Sequence, residues 1–138
     1  MKVGFSVHAD FSGVAKQKIP AVKAYAEHVL AEQMRKDTSP FVPFLTGALD
    51  NGTQVKGNEV HYMAPYARFL YYGKVMVDPN TGSTWAPAGG SKVVTDRNLV
   101  FTKDFHPQAQ AFWCEASKAQ NIDKWERVAQ KAVDRFGR

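Results

Sequence analysis

The side chains able to ligate a metal, relay a proton or attack a substrate are four histidines, one cysteine and thirteen carboxylates. His8, His28, His61 and His106 fall in different predicted elements. None stands at a ligand spacing from another histidine or from Cys114, and the sequence holds neither HExxH nor CxxC. Gly89-Gly90-Ser91-Lys92 has the composition of a phosphate-binding loop without the GxxxxGK[ST] spacing that would let successive backbone amides cradle phosphates, so it reads as a flexible loop. No GxSxG elbow presents a serine nucleophile. Cys114, alone between Trp113 and Glu115, cannot form an internal disulfide and reads as a small buried hydrophobe. The expectation is a chain with no metal, no cofactor and no catalytic residues.

The most unusual local composition is the aromatic cluster Tyr62, Tyr66, Phe69, Tyr71 and Tyr72, interleaved with Arg68 and Lys74. Three readings compete. The cluster can be the packing of a short helix on a hairpin, with Phe69 and Leu70 turned inward. It can be a stacking platform for single-stranded nucleic acid, although no RNP-type strand motif accompanies it. Or it can be a protein interface, where Tyr and Arg anchor contacts because each joins a large area to a polar tip. The net charge of +5 invites the second reading until the charges are located. Residues 1–37, 38–114 and 115–138 carry excesses of +2, +1 and +2, a thin spread rather than the clustered Lys and Arg of a typical nucleic-acid binder.

These residues need elements to position them. A length of 138 residues fits one domain, 1–138, and 44% hydrophobic with 22% charged residues is a globular balance. No stretch approaches the roughly 18 apolar residues of a membrane span. The amino terminus alternates instead of forming a signal-peptide core, so a cytosolic protein with no membrane partner is expected. Val3, Phe5 and Val7 have the period of a half-buried edge strand. Asp10 or Ser12 can cap a helical region, and Val22, Tyr25, Ala26, Val29, Leu30 and Met34 then mark one helix face up to about Asp37, with Pro20 in the first turn or at a kink. Thr38-Ser39-Pro40 ends that helix.

Further along, Thr53 to Val55 and Glu59 to Met63 read as a hairpin around Lys56-Gly57-Asn58, and Tyr66 to Tyr72 as a short helix ended by Gly73. Residues 74–100 form a long loop in which only Val75 to Val77 and Val93 to Thr95 look like strand; loops of this length are usually functional or order on meeting a partner. A helix follows Pro107. Asp123 with Glu126 then has the pattern of a capping box opening a second helix, whose apolar stripe is Trp125, Val128, Ala129, Ala132, Val133 and Phe136. The fold class expected is α+β: a small antiparallel sheet packed by an N-terminal helix and C-terminal helices, with a long extended loop.

The order of these signals carries a resemblance. An N-terminal helix is followed by Phe41-Val42-Pro43-Phe44-Leu45-Thr46-Gly47-Ala48-Leu49, then by Ala64-Pro65-Tyr66-Ala67-Arg68-Phe69-Leu70-Tyr71-Tyr72-Gly73, and later by His106-Pro107 and the pair Trp113 and Trp125. Over nearly its whole length the chain resembles the minor capsid proteins of long-tailed bacteriophages and prophages, in the group of neck or tail-completion proteins that join head to tail. Within that pattern Pro43, Gly47 and Leu49 match the turn entering the hairpin, and Pro65, Tyr66, Arg68, Tyr72 and Gly73 match the second motif. One departure is that Ala48-Leu49 run into Asp50-Asn51-Gly52 where the family pattern continues a strand, which leaves the hairpin register open.

The resemblance implies a non-enzymatic structural subunit that assembles as a ring, commonly sixfold, between the head connector and the tail. Its partners would be itself in a hexamer, the head-connector or stopper protein and the tail-terminator or tail-tube protein, with non-specific proximity to DNA in the channel. Its place would be the head–tail junction of a virion assembled in the host bacterial cytoplasm. The motif residues would serve shape and subunit contact, and in the long loop Trp85 and Arg97 would be contact residues. A nucleic-acid-binding or nuclease-type basic module is the alternative, and a small hydrolase whose site forms only on folding is a third class.

Overall fold

The computed structural model describes residues 1–44 and 46–137. Leu45, inside the first motif, lies outside the described residues. The architecture is α+β. In chain order come β1 (Lys2–Gly4), α1 (Ile19–Thr38), α2 (Ala48–Asn51), β2 (Gln54–Lys56), β3 (Glu59–His61), α3 (Ala67–Tyr72), β4 (Lys74–Val77), β5 (Val93–Asn98) and α4 (Trp113–Gly137).

The first sheet has the order β1-β3-β2, antiparallel throughout, so the alternating amino-terminal strand is an edge strand as its length suggests. The hairpin register is Gln54 to His61, Val55 to Val60 and Lys56 to Glu59. Gly57 takes φ +59° as the first turn residue and Asn58 has no positive φ, the pattern of a type II′ turn, whose twist matches that of the strands. The sheet starts late because Ala48-Leu49-Asp50-Asn51 close one helical turn, with the amide of Asn51 donating to the Gly47 carbonyl at 2.8 Å. That turn is why Asp50-Asn51-Gly52 do not continue a strand.

α1 and α4 lie antiparallel. Gly137 sits against Val14 and Val22, Tyr25 stacks on Phe136 at 4.5 Å, and at the other end Trp125 Nε1 donates to Asp37 at 2.9 Å while the buried Thr38 hydroxyl donates to Ser117 at 2.8 Å. Val22, Ala26, Leu30, Ala31 and Met34 from α1 meet Trp113, Trp125, Ala129 and Val133 from α4, with Val60 of β3 and Tyr62 just beyond that strand against them.

Two expectations about helix starts are corrected. Asp10 caps no helix: its carboxylate accepts from the Ser12 amide at 2.9 Å in a local turn, while Gln130 of α4 bonds both backbone groups of Asp10. The helix begins at Ile19, after a short 3-10 turn, with Pro20 in its first turn. Nor does Asp123 open a second C-terminal helix, because α4 is continuous from Trp113 to Gly137. Nothing between Ala116 and Asp123 breaks a helix. The buried face runs on through Ser117, with the Asn121 amide donating back to the Ser117 carbonyl at 3.0 Å.

The long segment 74–100 contains a second, two-stranded sheet. The stretches read as strand pair with each other, Lys74 with Asn98, Met76 with Val94 and Val77 with Val93, across a bulge that the Thr95 hydroxyl closes by donating to the Val75 carbonyl at 2.7 Å. Beyond the strands the tip is turned by bonds from the Gly82 amide to the Asp78 carbonyl and from the Asp78 amide to the Ser83 carbonyl. No helix among the described residues is long and apolar enough to cross a membrane.

Candidate functional site

Three segments converge beside the foot of the β4–β5 hairpin. The first motif leaves α1 through Phe41 and Val42, turns at Gly47 and enters α2. The second motif is α3 with its flanks. Residues 99–112 then strap the two together: Leu99 N–H donates to the Gly73 carbonyl (2.8 Å), His106 Nδ1 meets the Val42 carbonyl (2.7 Å), Gln110 N–H donates to the Phe41 carbonyl (3.2 Å) and Phe112 N–H to the Tyr71 carbonyl (2.8 Å). Phe44 rests on Phe105 and His106, with ring centroids 5.1 and 4.8 Å away.

The two motif glycines fix this geometry. Gly73 ends α3 with φ +67°, and a Cβ there would stand 2.6 Å from the Cβ of Ala111. Gly47 has φ +85°, and its Cβ would stand 2.8 Å from both Phe44 and Asn51. Gly73 therefore excludes a side chain on conformational and on steric grounds, whereas Gly47 is required by its positive φ, the ends of the Phe44 and Asn51 side chains being free to swing aside.

Between the motifs opens a groove of about 610 Å³, walled by Pro43, Gly47 and Leu49 on one side, Tyr66 and Phe69 on another, and Val100 and Phe101 on the third. Among the described residues no charged side chain lines it. A smaller hollow of about 450 Å³ continues past Val100 to Tyr72, Gly73 and Phe112. Tyr71, Tyr72 and Phe112 form an edge-to-face cluster whose inner member, Tyr71, stands 4.7 Å from Trp113. Phe112 holds φ +53° immediately before α4, which aims its ring at that cluster.

Of the residues singled out in the sequence, Pro43, Gly47, Leu49 and Tyr66 line the groove, and Tyr72 and Gly73 line its continuation. Pro65 and Arg68 are exposed and line neither. Trp85 and Arg97 lie on the hairpin, away from both. Of the two residues expected to turn inward from α3, Leu70 packs against the core beside the fully buried Ala67, while Phe69 does not and remains 37% exposed on the groove wall. The physical reason is helix geometry: at about 100° per residue Ala67, Leu70 and Tyr71 share one face, which packs on the core, and Phe69 falls outside it. Sequence reading also missed Phe44, Val100 and Phe101. The signal was there in Leu99-Val100-Phe101, an apolar run outside any predicted element.

Reactive groups lie elsewhere. Cys114 is buried, and burial pushes its thiol up to about 11, while Tyr62, 3.7 Å from its sulfur, is pushed up by its own burial. Among the described residues no three His, Cys, Asp or Glu side chains come together to hold a metal.

The two motifs thus share an apolar groove on the surface of an α+β chain. A family model for minor capsid proteins matches residues 5–133, and the chain belongs to that family. No curated protein and no solved structure matches it. Family membership makes the chain a structural component of a virion.

Proposed function

We propose that the chain is a head–tail joining protein of a long-tailed bacteriophage, a non-enzymatic neck or tail-completion subunit that assembles as a ring, commonly a hexamer, between the head connector and the tail. The observation that carries this reading is the groove: the two sequence motifs that resemble the neck group form its walls. A groove without charge, rimmed by aromatics, suits contact with protein better than contact with a polyanion, whose phosphates call for clustered Lys and Arg.

The test is to image the virion with the chain tagged at its carboxyl terminus. A tag ring at the junction of head and tail is the expected result; tag density spread over the capsid shell would overturn it. Steep salt dependence of DNA binding by the isolated chain, the mark of counterion release, would favour the nucleic-acid-binding reading instead.

A further inference from the structure

We infer that the groove between the two motifs receives the hairpin tip of a second copy of this chain, with Trp85 as the inserted side chain. The inference rests on the ring reading above and adds to it which surfaces meet.

Trp85 is 84% exposed at the tip, a costly position for a large apolar ring in water. From Pro79 to Ser91 the tip holds no charged residue, in a chain of which 22% is charged. Among the described residues the groove walls hold none either, and Val100 on their rim is 96% exposed. An uncharged, aromatic-tipped arm and an uncharged apolar groove match in chemistry, and neither would accept a charged partner without leaving that charge desolvated and unpaired. A buried aromatic anchor in a pocket is the usual centre of binding energy at a protein contact.

The geometry selects a second copy over the chain's own tip. The groove lies at the foot of the hairpin, where Gly73 and Leu99 are bonded and Val100 follows β5. The tip lies at the far end, beyond about 10 Å of paired strand. A chain could fill its own groove only by unpairing β4 from β5. Foot and tip are different surfaces, so the contact between copies is head-to-tail, and a head-to-tail contact closes into a ring when the rotation between copies divides the circle.

The test is cross-linking in assembled particles carrying Thr84→Cys beside the tryptophan and Ala48→Cys on the groove wall, with a short bismaleimide. The native Cys114 is buried, and each single variant serves as control. A ladder of multimers of this chain from the double variant alone is expected, and adding Trp85→Ala should reduce it at least tenfold. An undiminished ladder with Trp85→Ala overturns the anchor. No ladder with bismaleimide, while an amine-reactive reagent still gives one through the lysines, overturns the docking and leaves the ring standing. Cross-linking of the Thr84→Cys single variant to a different virion protein overturns it too. No multimers with either reagent removes the ring and this inference with it. If the double variant does not assemble, the same reagents applied to Ser83→Cys with Ala48→Cys decide between these outcomes.

Discussion

Gly73 combines two restraints that can be separated by mutation. Its φ of +67° disfavours any Cβ, and Ala111 occupies the space a Cβ would need. Gly57, with φ +59° and nothing within 4 Å, carries only the first. Gly57→Ala should therefore cost about 1 kcal/mol of unfolding free energy, and Gly73→Ala about 2 to 4 kcal/mol, in urea titrations of the purified chain. Equal losses would mean that the 106–112 strap yields freely. Asp37 gives a second residue-scale expectation. Burial alone would raise its pKa, but hydrogen bonds from Trp125, Lys124 and Gln33 outweigh that and hold it below the ordinary carboxylate value. A depressed folded pKa stabilises above the unfolded value and is lost as pH falls through the folded one, so stability should decline below about pH 4. Asp37→Asn should show a shallower acid limb in pH-dependent melting, and an unchanged limb would assign acid sensitivity to other carboxylates. Neither interaction was legible in the sequence. The Asp37–Trp125 bond spans 88 positions, and the Gly73–Ala111 approach depends on how the strap crosses α3.

Periodic elements were the legible part. α1, the β2–β3 hairpin and α3 with its glycine stop all have local causes: an apolar face, a Gly-Asn turn, a residue free to take positive φ. What failed was local chemistry overridden by packing. Asp123 and Glu126 form a helix-start pattern, yet the face through Trp113, Ser117 and Trp125 was already committed to α1, and a helix does not restart where nothing interrupts it. Trp125→Ala tests that face. The side chain is almost fully buried and bonds Asp37, so its removal should cost about 3 to 5 kcal/mol, read as a lowered denaturation midpoint. Wild-type behaviour would mean that α4 does not depend on α1 at this point. The β4–β5 hairpin is an element of the other kind: its pairing and short-range turns hold it, and β5 is exposed along nearly its whole length. Trypsin should cut the free chain first at Lys92 or Arg97, and particles should protect both sites. Equal protection in the free chain would make the hairpin part of the folded core, and equal cleavage in particles would deny it any joining contact.

At the scale of the whole molecule, the two motifs are distant in sequence and adjacent in space, and what they share is the surface of one groove. That sharing explains why motif residues could be named from the sequence without their roles being separable: Pro43, Leu49 and Tyr66 face the groove, while Arg68, one residue before Phe69, is turned about 100° from it around α3. Adjacent substitutions on that helix can therefore distinguish the groove from the rest of its surface. Both side chains are exposed enough that truncation should leave the fold intact, which circular dichroism and melting of the purified variants would verify. If the groove is where the chain is joined, losing the Phe69 ring removes a contact worth about 2 kcal/mol, and affinity should fall by more than tenfold at each subunit contact. Joined particles in a complementation assay, counted as filled heads carrying tails, should then fall steeply for Phe69→Ala and much less for Arg68→Ala. The reverse order would move the joining surface onto the solvent side of α3, and full yields from both variants would take it away from this helix altogether.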